Sequence, residues 1–287
     1  MEQQAVAQQF LEAVETFNRQ AAALGFPDIA SYYWYHTIDL PNGLVTPGLY
    51  DYRATLLDFH FPADMRGMRA LDVGSATGFF AFEFARRGAE VVSVELPSLE
   101  AIDRFPGQDI GQIVEKINRM IVPPSVDGLG GYVKSYTAAQ LYFYMLEGPF
   151  EFCRKLLGAR VTRCYSTVYD LSASNTGGVF DFVFMGDVLV HTINPFQALA
   201  AVAPLCRGAL VFAGLVPDAP DGRPAMLYVG GDSLDADEVS WWLPNKPCLT
   251  ALLKKFGFRA VVDVGRHTGV LRPSGYVFER SILRAER

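Results

Sequence analysis

Residues 69–96, RALDVGSATGFFAFEFARRGAEVVSVEL, leave little choice of local fold. Residues 70–73 (ALDV) form a short apolar run of the kind that fills a parallel strand buried on both faces, and they run straight into Gly74-Ser75-Ala76-Thr77-Gly78. A strand that ends in glycines enters a tight turn. From Phe79 the apolar Phe80, Phe84 and Ala85 fall on one helical face, Gly88 stops the helix, and residues 91–94 are a second β-branched run closed by Glu95. The pattern predicts a βαβ unit. Glycines before a helix N-terminus let a ligand approach the backbone, and a carboxylate ending the second strand can accept both hydroxyls of a ribose.

Two details separate this turn from one that holds a dinucleotide. A diphosphate calls for G-x-G-x-x-G, but Ala76 stands at the second glycine position and the order is G-x-A-x-G. Asp72, two residues before the first glycine, repels phosphates and suits a ligand that carries an ammonium group. Asp72-x-Gly74-x-x-x-Gly78 with Glu95 resembles the cofactor motif of class I S-adenosylmethionine-dependent methyltransferases. A nicotinamide enzyme is the alternative, because spacing alone does not name the cofactor.

At 287 residues, with 50% hydrophobic and 20% charged residues, the chain can bury a full core. No apolar run is long enough to span a bilayer, and the opening MEQQAVAQQF lacks the basic and then apolar order of a signal peptide, so a cytoplasmic protein is expected. Cys153, Cys164, Cys206 and Cys248 lie far apart with no C-x-x-C pair, and His36, His60, His191 and His267 are equally scattered; no metal site is expected. The net charge of −6 and the absence of a Lys/Arg run disfavour nucleic acid as a partner.

The expected organisation is an N-terminal helix and aromatic cap over residues 1–60, then a Rossmann-like domain over 61–287 with insertions at 98–149 and 217–245. Residues 2–23 carry Val6, Phe10, Leu11, Val14 and Phe17 on one side of an amphipathic helix that covers the sheet or a dimer partner. Residues 31–53 hold Tyr32, Tyr33, Trp34, Tyr35 and His36, and the turn Pro41-Asn42-Gly43 suggests a short hairpin between residues 34–40 and 44–45. Two readings stand: the rings seal the core, or they face a sulfonium, a cation–π contact worth about 0.5–2 kcal/mol per ring.

The 98–149 insertion is longer than an ordinary crossover. It contains a helical stretch at 110–121, the breaker PPSVDGLGG, and a second stretch at 136–146 that ends at Gly148-Pro149. Tyr132, Tyr136, Tyr142, Phe143 and Tyr144 suit an aromatic lid, and a homodimer interface has the same composition. A helix over 150–157 and strands at 161–168, 179–186, 209–216, 258–264 and 275–283 follow, with helices at 195–205 and 248–256 and a short strand at 226–229. His191, beyond the fourth strand, is either a general base or a helix-start residue bonded to backbone.

Two strands after the fifth, joined by a turn, fit the seven-stranded methyltransferase sheet, helices on both faces and an antiparallel last strand. WYHTIDLPNG, VYDL, MGDVLVH and WWLPN resemble the group related to tRNA wobble-uridine carboxymethyltransferases. The resemblance implies that Asp72, Gly74, Ser75, Ala76 and Gly78 cradle the methionine part of S-adenosylmethionine. It gives Glu95 with Leu96 the ribose, Asp170 with Tyr169 and Leu171 the adenine, and Met185 and Gly186 the wall beside the sulfonium. Tyr35, His36, Tyr136, Tyr142 and His191 are the candidates for the acceptor side.

The implied reaction is SN2 transfer of a methyl group to a small molecule of secondary or specialised metabolism. Three other readings stand beside it: intramolecular cyclisation of the cofactor to azetidine-2-carboxylate and methylthioadenosine, tRNA (carboxy)methylation, and a non-catalytic scaffold that binds the cofactor.

Overall fold

The computed structural model describes residues 2–121, 136–234 and 239–287. In chain order the strands are β1 (Arg69–Val73), β2 (Glu90–Glu95), β3 (Val161–Tyr165), β4 (Phe180–Gly186), β5 (Cys206–Gly214), β6 (Met226–Tyr228), β7 (Trp242–Pro244), β8 (Ala260–Leu271) and β9 (Tyr276–Glu286). The helices are α1 (Glu2–Ala23), α2 (Phe79–Arg86), α3 (Ile110–Ile121), α4 (Ala138–Tyr142), α5 (Gly148–Leu157), α6 (Pro195–Val202) and α7 (Lys246–Lys255). Seven strands make one sheet in the order β3-β2-β1-β4-β5-β9-β8, in which β9 alone runs against the rest, and β6 and β7 form a separate antiparallel pair.

The chain moves outward from β1 through β2 to β3, then crosses back to β4 on the other side of β1. The strand order therefore reverses between β1 and β4, where α/β sheets open a crevice at the C-terminal edge. Alternate residues of each strand point to opposite faces. Ala70, Phe182, Phe184 and Val211 face a core with Phe80 and Phe84 of α2 and with Phe17, Trp34, Phe59 and Phe61 of the N-terminal region. Leu71, Val183, Met185 and Leu283 face a second core, with Leu199 and Val202 of α6 and Leu249 and Leu253 of α7. Each large side chain withdrawn from water contributes about 1.5–3 kcal/mol, so both faces stay covered.

Several boundaries differ from the sequence reading. The expected hairpin before β1 is reduced to one antiparallel bridge, Asp39 with Val45, and a separate parallel bridge joins His36 to Tyr50. The Leu40 N–H donates to the Leu44 carbonyl at 2.8 Å and the Thr46 N–H to the Ile38 carbonyl at 3.0 Å, and beyond them Thr46 Oγ1 accepts the Ile38 N–H at 2.7 Å and donates to the His36 carbonyl at 2.8 Å. Leu11 is 42% exposed, because α1 buries its C-terminal half through Phe17 and Ala21 and leaves this turn outside. Gly148-Pro149 does not end the preceding helical stretch. A π-helical turn, Phe143–Glu147, joins α4 to α5 without a break, which puts Pro149 in the first turn of α5 where its missing N–H costs least. The third strand stops at Tyr165, and the last two run longer than expected, to Leu271 and to Glu286. The breaker at 123–131 and Tyr132 lie outside the described residues.

Candidate functional site

The turn after β1 holds Gly74 at φ +73, Ala76 at +46 and Gly78 at +90. Glycine takes this conformation freely, whereas Ala76 bears a strain of roughly 1–2 kcal/mol. Both sides of Ala76 are gripped: its N–H donates to Glu95 Oε2 at 2.8 Å and its carbonyl accepts from Arg163 Nη2 at 3.1 Å. Glu95 also accepts the Leu96 N–H on Oε1 at 2.9 Å, so the acid that ends β2 is locked against the turn. Arg163 Nη1 donates to Ser75 Oγ at 2.7 Å and to Ser93 Oγ at 3.0 Å, and its guanidinium lies 4.0 Å from the Phe150 ring centre. Arg163, which sequence reasoning missed, is thus the brace beneath the turn. Its mark in the sequence is a basic residue inside an otherwise ordinary strand.

Asp72 sits in register with Ser93 on one side and Phe184 on the other, and Ser93 in turn with Arg163. It accepts the Ala81 N–H in the first turn of α2. Its Oδ2 is buried with no partner. Burial pushes its pKa up to about 7, against the pull of Arg163 and of the Ala81 bond, with a small push from Glu95. A buried carboxylate with one free oxygen, beneath a turn shaped for backbone approach, fits a ligand that brings an ammonium group.

Asp170 ends a single 3-10 turn after β3, its exposed carboxylate bonded to Thr167 Oγ1 at 2.5 Å. The neighbouring residues differ in role: Leu171 is buried, and the Tyr169 hydroxyl bonds to Asp103 and accepts the Asn194 N–H at 3.2 Å. Asp103 Oδ2 also accepts the Ile193 N–H at 2.7 Å, so Tyr169 ties the insertion to the segment before α6. Met185 is buried at the end of β4, beside Gly186.

The five acceptor-side candidates separate into groups. His36 is buried against the turn, its ring Nδ1 3.1 Å from Thr77 Oγ1, and desolvation pushes its pKa down to about 3. Tyr35 is next to it, hydrogen-bonded to Tyr50, with its hydroxyl pKa raised well above normal, mainly by burial. The Tyr142 hydroxyl donates to the Leu96 carbonyl at 2.7 Å, which brings α4 to the residue after Glu95. Tyr136 packs on Tyr144 with ring centres 5.1 Å apart, and Asn118 holds both its main-chain groups. His191 is exposed, and its Nδ1 lies 2.6 Å from the Val239 carbonyl, facing the second insertion.

The cap is fastened elsewhere too. The Tyr33 N–H donates to the Tyr144 carbonyl at 2.9 Å, and Arg272, beyond β8, bonds through its guanidinium to Thr37 Oγ1 and the Gly48 carbonyl. At the end of β4, Asp187 Oδ2 accepts from Arg280 Nε at 2.6 Å. Asp187, Arg280, Tyr50 and Tyr52 were not singled out by the sequence reading, although Asp187 falls inside the MGDVLVH motif. Among the described residues no group of three or more His, Cys, Asp or Glu is arranged to hold a metal ion.

The chain has a glycine turn at the switch point of a seven-stranded sheet and an acid ending β2, the architecture of class I S-adenosylmethionine-dependent methyltransferases, and local stretches of it are similar to curated methyltransferases. It is 39% identical over 74 residues to the magnesium-protoporphyrin O-methyltransferase of Rhodobacter capsulatus, a match covering 25% of this chain and 33% of that one. It is 36% identical over 91 residues to a tRNA U34 carboxymethyltransferase of Syntrophotalea carbinolica, covering 31% and 27%. The chain thus spans a third or less of these relatives' length. Among solved structures, magnesium protoporphyrin IX methyltransferase from Synechocystis PCC 6803 superposes with a TM-score of 0.44 at 14% identity, covering 78% of this chain and 71% of that one. No family model matches the chain.

Proposed function

We propose that the protein is an S-adenosylmethionine-dependent methyltransferase acting on a small molecule. The observation that carries this reading is the unpartnered, buried Oδ2 of Asp72 beneath the Gly74–Gly78 turn, an acceptor waiting for the ammonium of the cofactor's methionine part. Glu95, already fixed by two main-chain N–H groups, keeps lone pairs for the ribose hydroxyls, and Asp170 accepts from the adenine amino group. Met185 and Gly186 line the sulfonium. The bound cofactor supplies an activated methyl group, so the chain's own task is alignment and exclusion of water, worth roughly 7–11 kcal/mol in favourable cases.

Tyr142 closes the ribose end through Leu96, which supports reading residues 136–149 as part of a lid. The net charge of −6 disfavours a polyanion, which favours a small acceptor over RNA. Among the described residues no helix is long and apolar enough to cross a membrane.

The test is mass spectrometry after incubation with S-adenosylmethionine, with and without a low-molecular-weight cell extract. S-adenosylhomocysteine that forms only with extract supports transfer to a small acceptor. Methylthioadenosine formed without extract overturns it and makes the cofactor itself the substrate.

A further inference from the structure

Beyond Gly186 the chain turns sharply. Asp187 adopts φ +52, in the left-handed region that Asp and Asn enter more readily than other L-residues. Its N–H donates to the Ala213 carbonyl at 2.8 Å, and its Oδ2 accepts Arg280 Nε at 2.6 Å. Arg280 turns Nη1 away, to the Glu279 carbonyl at 3.0 Å, so the two side chains share one bond instead of a fork. Oδ1 of Asp187 is left buried with no partner. A buried acceptor atom without a donor is costly, even on a side chain that is 25% exposed overall.

The surroundings are aromatic and carry hydroxyls. The Asp187 charge acts on the hydroxyls of Tyr35, Tyr50 and Tyr52, the first two of which are hydrogen-bonded to each other with ring centres 4.8 Å apart. Tyr52 lies parallel to Tyr50 at 6.0 Å, and Arg280 sits 4.9 Å over Phe278. The three tyrosine rings belong to the cap that His36 fastens to the glycine turn, and Phe278 belongs to β9.

We infer that Asp187 Oδ1 is the recognition point for the methyl acceptor, and that the acceptor is a flat ring bearing an N–H or O–H group. The inference rests on the methyltransferase reading and gives that site its substrate class. Arg280 is a positioning residue that aims the carboxylate, and the tyrosine rings cover the acceptor's faces. An acceptor without a hydrogen to donate leaves Oδ1 unpaired and is rejected.

The test uses the full chain saturated with S-adenosylhomocysteine and four probes: phenol, aniline, anisole and N,N-dimethylaniline, titrated with saturation-transfer NMR. Phenol and aniline are expected to bind about tenfold more tightly than their methylated counterparts, the scale of one buried hydrogen bond. Asp187→Asn tolerates the left-handed backbone, gives its oxygen to Arg280 and turns an amide NH2 toward the ring, so the preference collapses. Equal binding of all four probes, binding of none at millimolar concentration, or full preference retained in Asp187→Asn overturns the inference. If Asp187→Asn also loses S-adenosylhomocysteine, the wild-type pairs decide alone. Failure of the wild type to bind S-adenosylhomocysteine overturns the methyltransferase reading itself.

Discussion

The hydroxyl of Thr77 accepts the main-chain N–H of His36 at 3.2 Å and lies 3.1 Å from that residue's ring Nδ1, so one side chain of the glycine turn holds the aromatic cap twice. With its pKa pushed down to about 3, His36 is neutral, and its Nδ1 shares one hydrogen bond with the Thr77 hydroxyl. Thr77→Val leaves both His36 groups buried without partners. A stability loss of about 1–3 kcal/mol in urea unfolding is expected, with Thr77→Ser near wild type. Equal stability of the two variants would remove the latch.

Asp72 sets a pH dependence of binding. With its pKa at about 7 it is increasingly protonated as pH falls, and a neutral carboxyl attracts the cofactor's ammonium poorly. Affinity for S-adenosylhomocysteine, measured calorimetrically from pH 8 downward, is expected to weaken below about pH 7, approaching tenfold per unit. Asp72→Asn binds weakly at every pH, without that slope.

The same carboxyl acts on stability in the opposite direction. Its folded pKa lies above the ordinary 3.8, so the folded state binds more protons than the unfolded state between about pH 4 and 7, and its contribution to stability falls as pH rises through that window. Asp72→Asn removes the effect. The ligand-free variant is therefore expected to gain thermal stability relative to wild type as pH goes from 4 to 7; a constant difference across that range contradicts the burial argument.

Arg163 offers a test of the brace. Arg163→Lys keeps a charge but cannot reach Ser75, Ser93 and the Ala76 carbonyl together, because an ammonium lacks the planar fork. Weaker binding of S-adenosylhomocysteine by about tenfold or more is expected, with Arg163→Met weaker still. Unchanged affinity in both would show that the turn holds Ala76 without help.

Gly48 is the tightest point of the cap. A β-carbon there would lie 1.9 Å from the His36 carbonyl carbon and 2.1 Å from the Thr37 nitrogen, both backbone atoms. Gly48→Ala is expected to cost about 1–3 kcal/mol in chemical unfolding and to loosen His36 from Thr77, weakening cofactor binding with it.

Much of the fold was legible because its signals are short-range. Residues 69–96 carry strand, turn and helix periodicity within one window, and β1, α2 and β2 form where that pattern puts them. The antiparallel β9 was implied by the resemblance to the methyltransferase sheet, which two apolar runs separated by a turn fit. Other boundaries were tertiary: the hairpin at residues 34–45 pairs Asp39 with Val45, but its ladder stops there, where the Thr46 hydroxyl takes the Ile38 N–H and the His36 carbonyl. Gly148-Pro149 has breaker chemistry, yet a π turn absorbs it. Tyr142, read as an acceptor-side residue, spends its hydroxyl on the Leu96 carbonyl.

The sequence by itself determined the βαβ unit, its glycine turn and the acids at 72 and 95, because propensity and turn chemistry act between neighbours along the chain. Only the tertiary structure decided which distant residues serve them. Arg163 reaches Ser75 across 88 positions, Thr77 meets His36 across 41 and Arg280 meets Asp187 across 93. Such pairs depend on strand order and register, which the whole core sets at once by burying both faces of the sheet, and no local pattern encodes them.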